Sequence, residues 1–254
     1  ETADLDLLVG ELGVFDRLNG IGAHEVIIDN PAHFKGLGDL APQERELVIR
    51  AYRSRSMDLR KDKRFKYILI FKNVGSPAGA SLEHGHSQLI SLPMIPKNVH
   101  EEVMGTRHYH NYHERCVFCD IIAQEIENEE NRVVVDNKDF LSICPLSSRF
   151  PFEVWIMPKK HNHDFGLISD GEISSLAPML KEILQRLNKV FKAPSFNYII
   201  HTAPVNTESF EEYHWHIEIM PKLTRVAGFE WGSGFYLVPT PPEMAARYLR
   251  DVKI

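Results

Sequence analysis

The chain has 254 residues, 43% hydrophobic and 25% charged, with a formal net charge of −6. That composition suits a globular protein of one large or two ordinary domains and excludes a nucleic-acid surface built on bulk basicity. The longest apolar runs, such as Tyr67–Phe71, are far too short to cross a bilayer, and no signal-peptide pattern follows Glu1, so no membrane anchor is expected. Three cysteines make no disulfide scaffold, and we expect a reducing, cytoplasmic compartment.

In chain order, the first strand pattern is His24–Asp29, and a helix pattern follows over Pro42–Asp62 with Leu47, Val48 and Ala51 on one side. Strand patterns recur at Tyr67–Asn73 and Ser87–Pro93, short runs rich in β-branched and aromatic residues and bounded by turn formers. The polar stretch Met104–Arg115 looks like a join, and Cys116 and Cys119 form a CxxC just beyond it. Further strands are expected at Arg132–Asn137, Phe140–Pro145, Phe152–Pro158, Phe196–His201 and His214–Pro221. Between them Asp170–Phe191 carries Leu176, Leu180, Ile183, Leu184 and Leu187 at helical spacing, and Pro241–Val252 closes the chain as a third helix.

The order of elements repeats. Eight residues separate Glu25 from His33, and eight separate Glu153 from His161. Each histidine is followed by a helix, a strand and an H-x-H, His84 and His86 in the first half and His214 and His216 in the second. We infer two copies of one α+β module.

Cys116 and Cys119, expected in a tight loop, and His161 and His214 supply two thiolates and two imidazoles, a donor set for tetrahedral zinc that leaves no open position and is therefore structural. The competing reading of the CxxC is an unligated or redox pair, which would sit better at a helix start in a thioredoxin-like βαβ unit. In the first half His33 and His84 match two of these ligands without a matching CxxC, so they are either half of a second metal site or ordinary polar histidines. In an extended segment His84, His86 and Gln88 share a face. Upstream lies Phe71–Ser81, rich in small residues with Asn73 and Ser81, a loop that can offer backbone N–H groups and short polar side chains to a phosphate. Beside such a loop His86 can act as a general acid or base or attack phosphorus itself, and Gln88 can donate to a phosphoryl oxygen. The second H-x-H has Trp215 and Glu218 where the first has Gly85 and Gln88, and an anion there would repel a phosphate. Glu153, His201 and His216 could hold iron or a second zinc, or could be hydrogen-bonded core residues. The glycine-spaced aromatic loop Val226–Pro239 could receive a sugar or base, or be a packed hairpin.

The segments FKNVGSPAGASLEHGHSQ, GIGAHEVIIDNPAH, FPFEVWIMPKKH, YIIHTAPVN and HWHIEIMPKL together resemble the galactose-1-phosphate uridylyltransferase family, the branch of the histidine-triad superfamily with two fused triad-like domains. The resemblance implies an α+β fold of tandem histidine-triad-like modules, antiparallel sheets with helices packed on them: residues 1–105 with the active site and 106–254 with a zinc site. It implies ping-pong transfer of UMP from UDP-glucose to galactose 1-phosphate through a uridylyl adduct of His86, whose ring the His84 carbonyl would orient. Asn73, Gly75, Ser81 and Gln88 would hold phosphates, and Gly228, Phe229, Glu230 and Gly232 would meet the sugar phosphate across a homodimer. His33 and His84 match first-half zinc ligands, and Cys116, Cys119, His161 and His214 match a second zinc site of some members. Glu153, His201, His214 and His216 match an iron-type site of others; the CxxC favours zinc. The family's N-terminal CxxC and uridine-contacting segment have no counterpart in this sequence. Two alternatives stand beside this reading. One is a branch resembling ADP-glucose phosphorylase, which keeps H-x-H-x-Q and moves AMP to phosphate, with diadenosine-polyphosphate phosphorylases a more distant relative. The other is a zinc-stabilised nucleotide-binding protein without turnover. Triad hydrolases carry a third histidine where Gln88 stands.

Overall fold

The computed structural model describes residues 10–12, 15–17, 19–33, 35–128 and 132–254. A short hairpin of β1 (Gly10–Leu12) and β2 (Phe15–Arg17) comes first. Then follow β3 (Ala23–Ile28), α1 (Pro42–Leu59), β4 (Tyr67–Val74), β5 (His86–Leu92), α2 (Lys97–His113) and α3 (Val117–Glu127). The remainder is β6 (Val133–Asp136), β7 (Phe140–Ile143), β8 (Val154–Pro158), α4 (Asp170–Phe191), β9 (Phe196–His201), β10 (His216–Pro221), α5 (Gly228–Ser233) and α6 (Pro242–Asp251). The fold is α+β: strands β3 to β10 form one antiparallel sheet in the order β3-β5-β4-β9-β10-β8-β7-β6. The repeat is visible in that order, since β3-β5-β4 and β8-β10-β9 run outward from the β4–β9 pair. The two halves thus share one sheet rather than two.

Alternation along the strands decides which helix covers which face. Ile68, Ile70, Leu89, Ile156, Ile217 and Ile219 pack with Val48, Ile49 and Tyr52 of α1, Leu176, Leu180 and Leu184 of α4, and Ala245, Ala246 and Leu249 of α6. Leu141, Ile143 and Met157, on the opposite face, pack with Val99 and Val103 of α2 and Phe118 and Ile122 of α3. Helix α4 begins at a capping box: the Glu172 N–H donates to Ser169 Oγ at 3.2 Å and the Ser169 N–H donates to Glu172 Oε2 at 2.7 Å. The buried Arg45 of α1 donates to the carbonyls of Leu37 at 3.0 Å and of Leu40, which fixes the loop before α1 against the core. Among the described residues no helix is long and apolar enough to cross a membrane.

Three expectations are corrected here. Met104–Arg115 is not an unstructured join, because residues through His113 belong to α2. Its buried stripe is only Val99, Val103 and Thr106, too narrow to stand out among polar neighbours. The CxxC lies not in a free loop but at a helix start, with Cys116 capping α3 and Cys119 in its first turn. The aromatic segment after Val226 contains a helical turn, α5, ended by Gly234 at φ 74°.

Candidate active site

His86 is the first residue of β5 and is paired with Ile28 of β3. Its Nδ1 lies 2.8 Å from the carbonyl oxygen of His84. A carbonyl can only accept, so Nδ1 carries a proton, and in the neutral ring Nε2 keeps its lone pair. The residue is only 6% exposed, on the wall of a cleft of about 700 Å³. The cleft runs between the Asn73–His86 segment, the Lys35–Asp39 loop, and Leu184 and Asn188 of α4 with the turn that follows it.

The loop above His86 is built on two glycines with positive φ, Gly75 at 80° and Gly79 at 86°. The Gly75 carbonyl accepts from the N–H groups of Ala78 at 3.0 Å and Ala80 at 3.2 Å, and Gly79 N–H donates to Ser76 O at 2.9 Å. These amides are therefore spent inside the loop, and Pro77 has none, so the cradle offers a phosphate fewer main-chain donors than its glycine content suggests. Side chains fill the gap. Asn73 Oδ1 accepts from Asn197 Nδ2 at 2.7 Å, and Asn197 Nδ2 also donates to Ala78 O at 2.8 Å. With its oxygen taken, Asn73 turns Nδ2 toward Gly79, 3.9 Å from where a Cβ there would stand. Ser81 lines the same cleft. Gln88 shares the face of His86, and its Oε1 lies 2.8 Å from His24 Nε2 on β3. Asn197 and His24 carry no motif, which is why the sequence does not single them out.

In the second half Cys116, Cys119, His161 and His214 converge, with ligating atoms all within 4.8 Å of one another. Cys119 Sγ lies 3.4 Å from His161 Nδ1 and 3.5 Å from His214 Nδ1, and Cys116 Sγ lies 3.8 Å from His214 Nδ1. A tetrahedron with Zn–S of about 2.3 Å and Zn–N of about 2.0 Å has an S···N edge of about 3.5 Å. The far side of each ring supports the same orientation: His161 Nε2 is 2.7 Å from Glu211 O and His214 Nε2 is 2.8 Å from Pro158 O. Carbonyl partners put the protons on Nε2 and aim both Nδ1 lone pairs at the thiols. Hydrogen bonding from Cys119 holds the Cys116 thiol far below its usual range, and the same bond pushes Cys119 up. The residues present fit a tetrahedral metal.

The first half keeps half of this geometry. His84 Nε2 is 2.7 Å from Asn30 O, the counterpart of the His214 bond, and His33 Nδ1 is 3.1 Å from His84 Nδ1. Among the described residues no third ligating side chain completes a cluster with them.

The other polar cluster is not the one expected. Glu153 is fully buried, but its Oε2 accepts from the N–H groups of Arg149 at 2.8 Å and Phe150 at 3.1 Å, and its Oε1 accepts from Trp155 Nε1 at 2.9 Å. It closes a turn rather than joining His201 and His216. The carboxylate that joins them is Glu102 of α2, two residues before the stretch taken for a join. Glu102 Oε2 is 2.9 Å from His201 Nδ1, and Glu218 Oε2 is 3.2 Å from His201 Nε2. The rings of His201 and His216 stack at 4.7 Å. Burial alone would lower the pKa of His201, but Glu218 and Glu102 outweigh it and raise it to about 10; burial dominates at His216 and lowers it to about 4. One imidazolium between two carboxylates lets the cluster stand without a metal. Its donors also fit one, since His216 Nε2 is buried without a well-formed hydrogen bond.

Gly228, Phe229, Glu230 and Gly232 lie on α5, and none lines the cleft of His86. Phe229 and Trp231 are exposed, at 53% and 79%.

Comparison with known proteins gives a consistent result. Residues 11–96 match the N-terminal domain, and residues 102–243 the C-terminal domain, of galactose-1-phosphate uridyl transferase. The chain is 35% identical over 246 residues to ADP-glucose phosphorylase of Arabidopsis thaliana, covering 96% of this chain and 68% of that protein. It is 32% identical over 253 residues to galactose-1-phosphate uridylyltransferase of Thermotoga maritima, covering 96% and 78%. Among solved structures it superposes with a TM-score of 0.88 on the Arabidopsis ADP-glucose phosphorylase with bound ADP-glucose, at 35% identity, covering 94% of this chain and 76% of that one. A uridylyltransferase structure superposes at 0.83 with 29% identity, covering 89% and 73%.

Proposed function

Since the chain belongs to the galactose-1-phosphate uridyl transferase family of nucleotidyltransferase enzymes, we propose that it moves a nucleoside monophosphate from a nucleoside-diphosphate glucose through a covalent adduct of His86. The observation that carries this reading is the orientation of His86: Nδ1 lies 2.8 Å from the His84 carbonyl, which leaves the lone pair of the neutral ring on Nε2, on the wall of a cleft lined by Asn73 and Ser81. In the first step Nε2 attacks the α-phosphorus. The bond to the bridging oxygen breaks, and its electron pair leaves with glucose 1-phosphate. In the second step a phosphate oxygen of the acceptor attacks the same phosphorus, and the P–N pair returns to Nε2. Asn73 Nδ2, Ser81 Oγ and the carboxamide of Gln88 hold phosphoryl oxygens, with Gly75 shaping the loop.

The primary donor and acceptor are UDP-glucose and galactose 1-phosphate. A second reading, AMP transfer from ADP-glucose to phosphate, is favoured by the 35% identity to the Arabidopsis phosphorylase and the 0.88 superposition on its ADP-glucose complex. Zinc held by Cys116, Cys119, His161 and His214 would tie the start of α3 to the segments entering α4 and β10, a structural task for a closed four-ligand site. His33 and His84 would contribute to a first-half metal. The two modules divide near residue 105, and α5 with its exposed Phe229 and Trp231 meets the second protomer of a cytoplasmic homodimer.

The experiment is single-turnover labelling with UDP-glucose or ADP-glucose carrying radioactive phosphorus at the α position, followed by a search for an acid-labile, base-stable phosphoramidate on His86. Label from UDP-glucose supports the primary reading, and label from ADP-glucose alone moves it to the phosphorylase. No label from either sinks the covalent mechanism and leaves a nucleotide-binding protein.

A further inference from the structure

We propose that Lys72 is a positioning residue for His86: its buried ammonium holds the His86 carbonyl and thereby fixes how the ring presents Nε2. The catalytic consequence rests on the reading above; the geometric claim does not.

Strand alternation puts Lys72 on the face that Ile68 and Ile70 bury under α1 and α4, where an apolar side chain is the expected choice. The Lys72 side chain is 3% exposed and that of its partner Asp29 is 0%. Burying this pair has a desolvation cost that packed apolar residues would avoid. Something specific must use the charge, and two of its contacts show what.

The β4–β5 ladder ends at the pair Phe71↔Gln88, while β4 continues along β9 to Val74↔Phe196. On its other side β5 remains paired with β3 as far as Ile28↔His86. At His86, therefore, β5 has a strand neighbour on one side only. Lys72 Nζ fills the gap and donates to the His86 carbonyl at 2.6 Å. It is held there by Asp29, whose Oδ1 also accepts from Ser87 Oγ at 3.1 Å, with Ser87 Oγ 2.6 Å from Tyr52 OH. The Asp29 N–H donates to Gly85 O at 3.0 Å. Residues 85 to 87 are thus gripped from below by one ion pair.

The grip matters because of Gly85. A Cβ there would stand 2.9 Å from Lys35 O, so the position requires glycine, and glycine leaves the peptide between His84 and His86 free to turn. Among the described residues the ring of His86 has one hydrogen bond, between Nδ1 and the His84 carbonyl, across that same glycine. Holding the His86 carbonyl removes the freedom that Gly85 introduces.

The test uses Lys72→Met combined with Asp29→Asn, which removes the grip without leaving a buried unpaired carboxylate. Long-range ¹⁵N–¹H NMR should show His86 as a single Nδ1–H tautomer in the wild type and as a mixture in the double variant. His86 labelling in a single turnover should slow about 10- to 100-fold, as expected for a nucleophile displaced by about 1 Å, with nucleotide Kd unchanged within about threefold. If the double variant does not fold, Lys72→Gln carries the same test, because its carboxamide is one bond shorter and falls short of the His86 carbonyl. Wild-type labelling and a single tautomer in a folded variant overturn the proposal. Slow labelling with the wild-type tautomer intact also overturns it, since the ring never lost its orientation. A wild type that takes no label refutes the functional reading alone, and the tautomer measurement still decides the role of Lys72.

Discussion

Replacing Gly75 by alanine tests the loop above His86 most directly. Gly75 has φ 80° and ψ 151°, a region nearly closed to residues with a Cβ, and occupying it costs about 1–3 kcal/mol. The added Cβ would lie 2.1 Å from Ser195 Oγ and 3.0 Å from Ser195 Cβ, so Ser195 and its backbone must move, at about 1–3 kcal/mol for overpacking. The sum is about 2–6 kcal/mol, or a fall in Tm of about 4–24 °C at about 2–4 °C per kcal/mol. Two further glycines serve as internal standards. Gly79→Ala carries the positive-φ strain but meets nothing closer than Asn73 Nδ2 at 3.9 Å, so it should cost about 1 kcal/mol, or about 2–4 °C. Gly105→Ala in α2 meets nothing within 4 Å and should raise Tm by about 1–4 °C through helix propensity alone. Calorimetry orders the three, and single-turnover labelling should show His86 slowed in Gly75→Ala and near wild type in Gly79→Ala. A Gly75→Ala protein that melts no lower than Gly79→Ala, or labels at the wild-type rate, would show that the loop relaxes freely and that its geometry does not shape the site.

Three other outcomes are expected. His86→Asn should keep the wild-type Tm within about 3 °C, since the residue lies at a strand end, and should take no label; retained label at another residue would move the nucleophile elsewhere. Cys116→Ser should lose stoichiometric zinc by mass spectrometry and melt more than about 5 °C lower, because metal binding is folding free energy in such a site; full zinc occupancy would overturn the ligand set. Glu125→Ala leaves the buried Arg132 without the partner that meets both its guanidinium and its N–H, at about 3 kcal/mol, or about 6–12 °C in Tm. A loss under 1 °C in denaturation scans would mean that Glu243 alone satisfies Arg132.

Much of the site is legible in the chain because its chemistry is local or repeated. H-x-H puts His84 and His86 on one face at fixed spacing, and the repeat separates their surroundings. The convergence of CxxC with His161 and His214 is visible for the same reason: the cysteines are marked by their own spacing, and each histidine sits beside a strand that the apolar pattern already marks. Glu102 is illegible because its partners come from β9 and β10, about a hundred residues away, and the helix that carries it buries only three side chains. Glu153 is the converse case. Sequence leaves it open between a metal ligand and a hydrogen-bonded core residue, and the turn at Arg149 and Phe150 decides for the second by supplying the nearer donors.

By itself the sequence marks the strands of the large sheet, the helices α1, α4 and α6, the repeated order of elements and the four side chains Cys116, Cys119, His161 and His214 that converge, all carried by periods of two or 3.6 residues or by short spacings. Tertiary structure alone decided that the halves share one sheet through β4 and β9, that the loop amides are turned inward, and that Lys72 replaces a missing ladder bond at His86. Each of these depends on which strand edges and buried charges meet across long sequence separations. Those meetings are chosen by the packing of the whole core and leave no periodic trace in the chain.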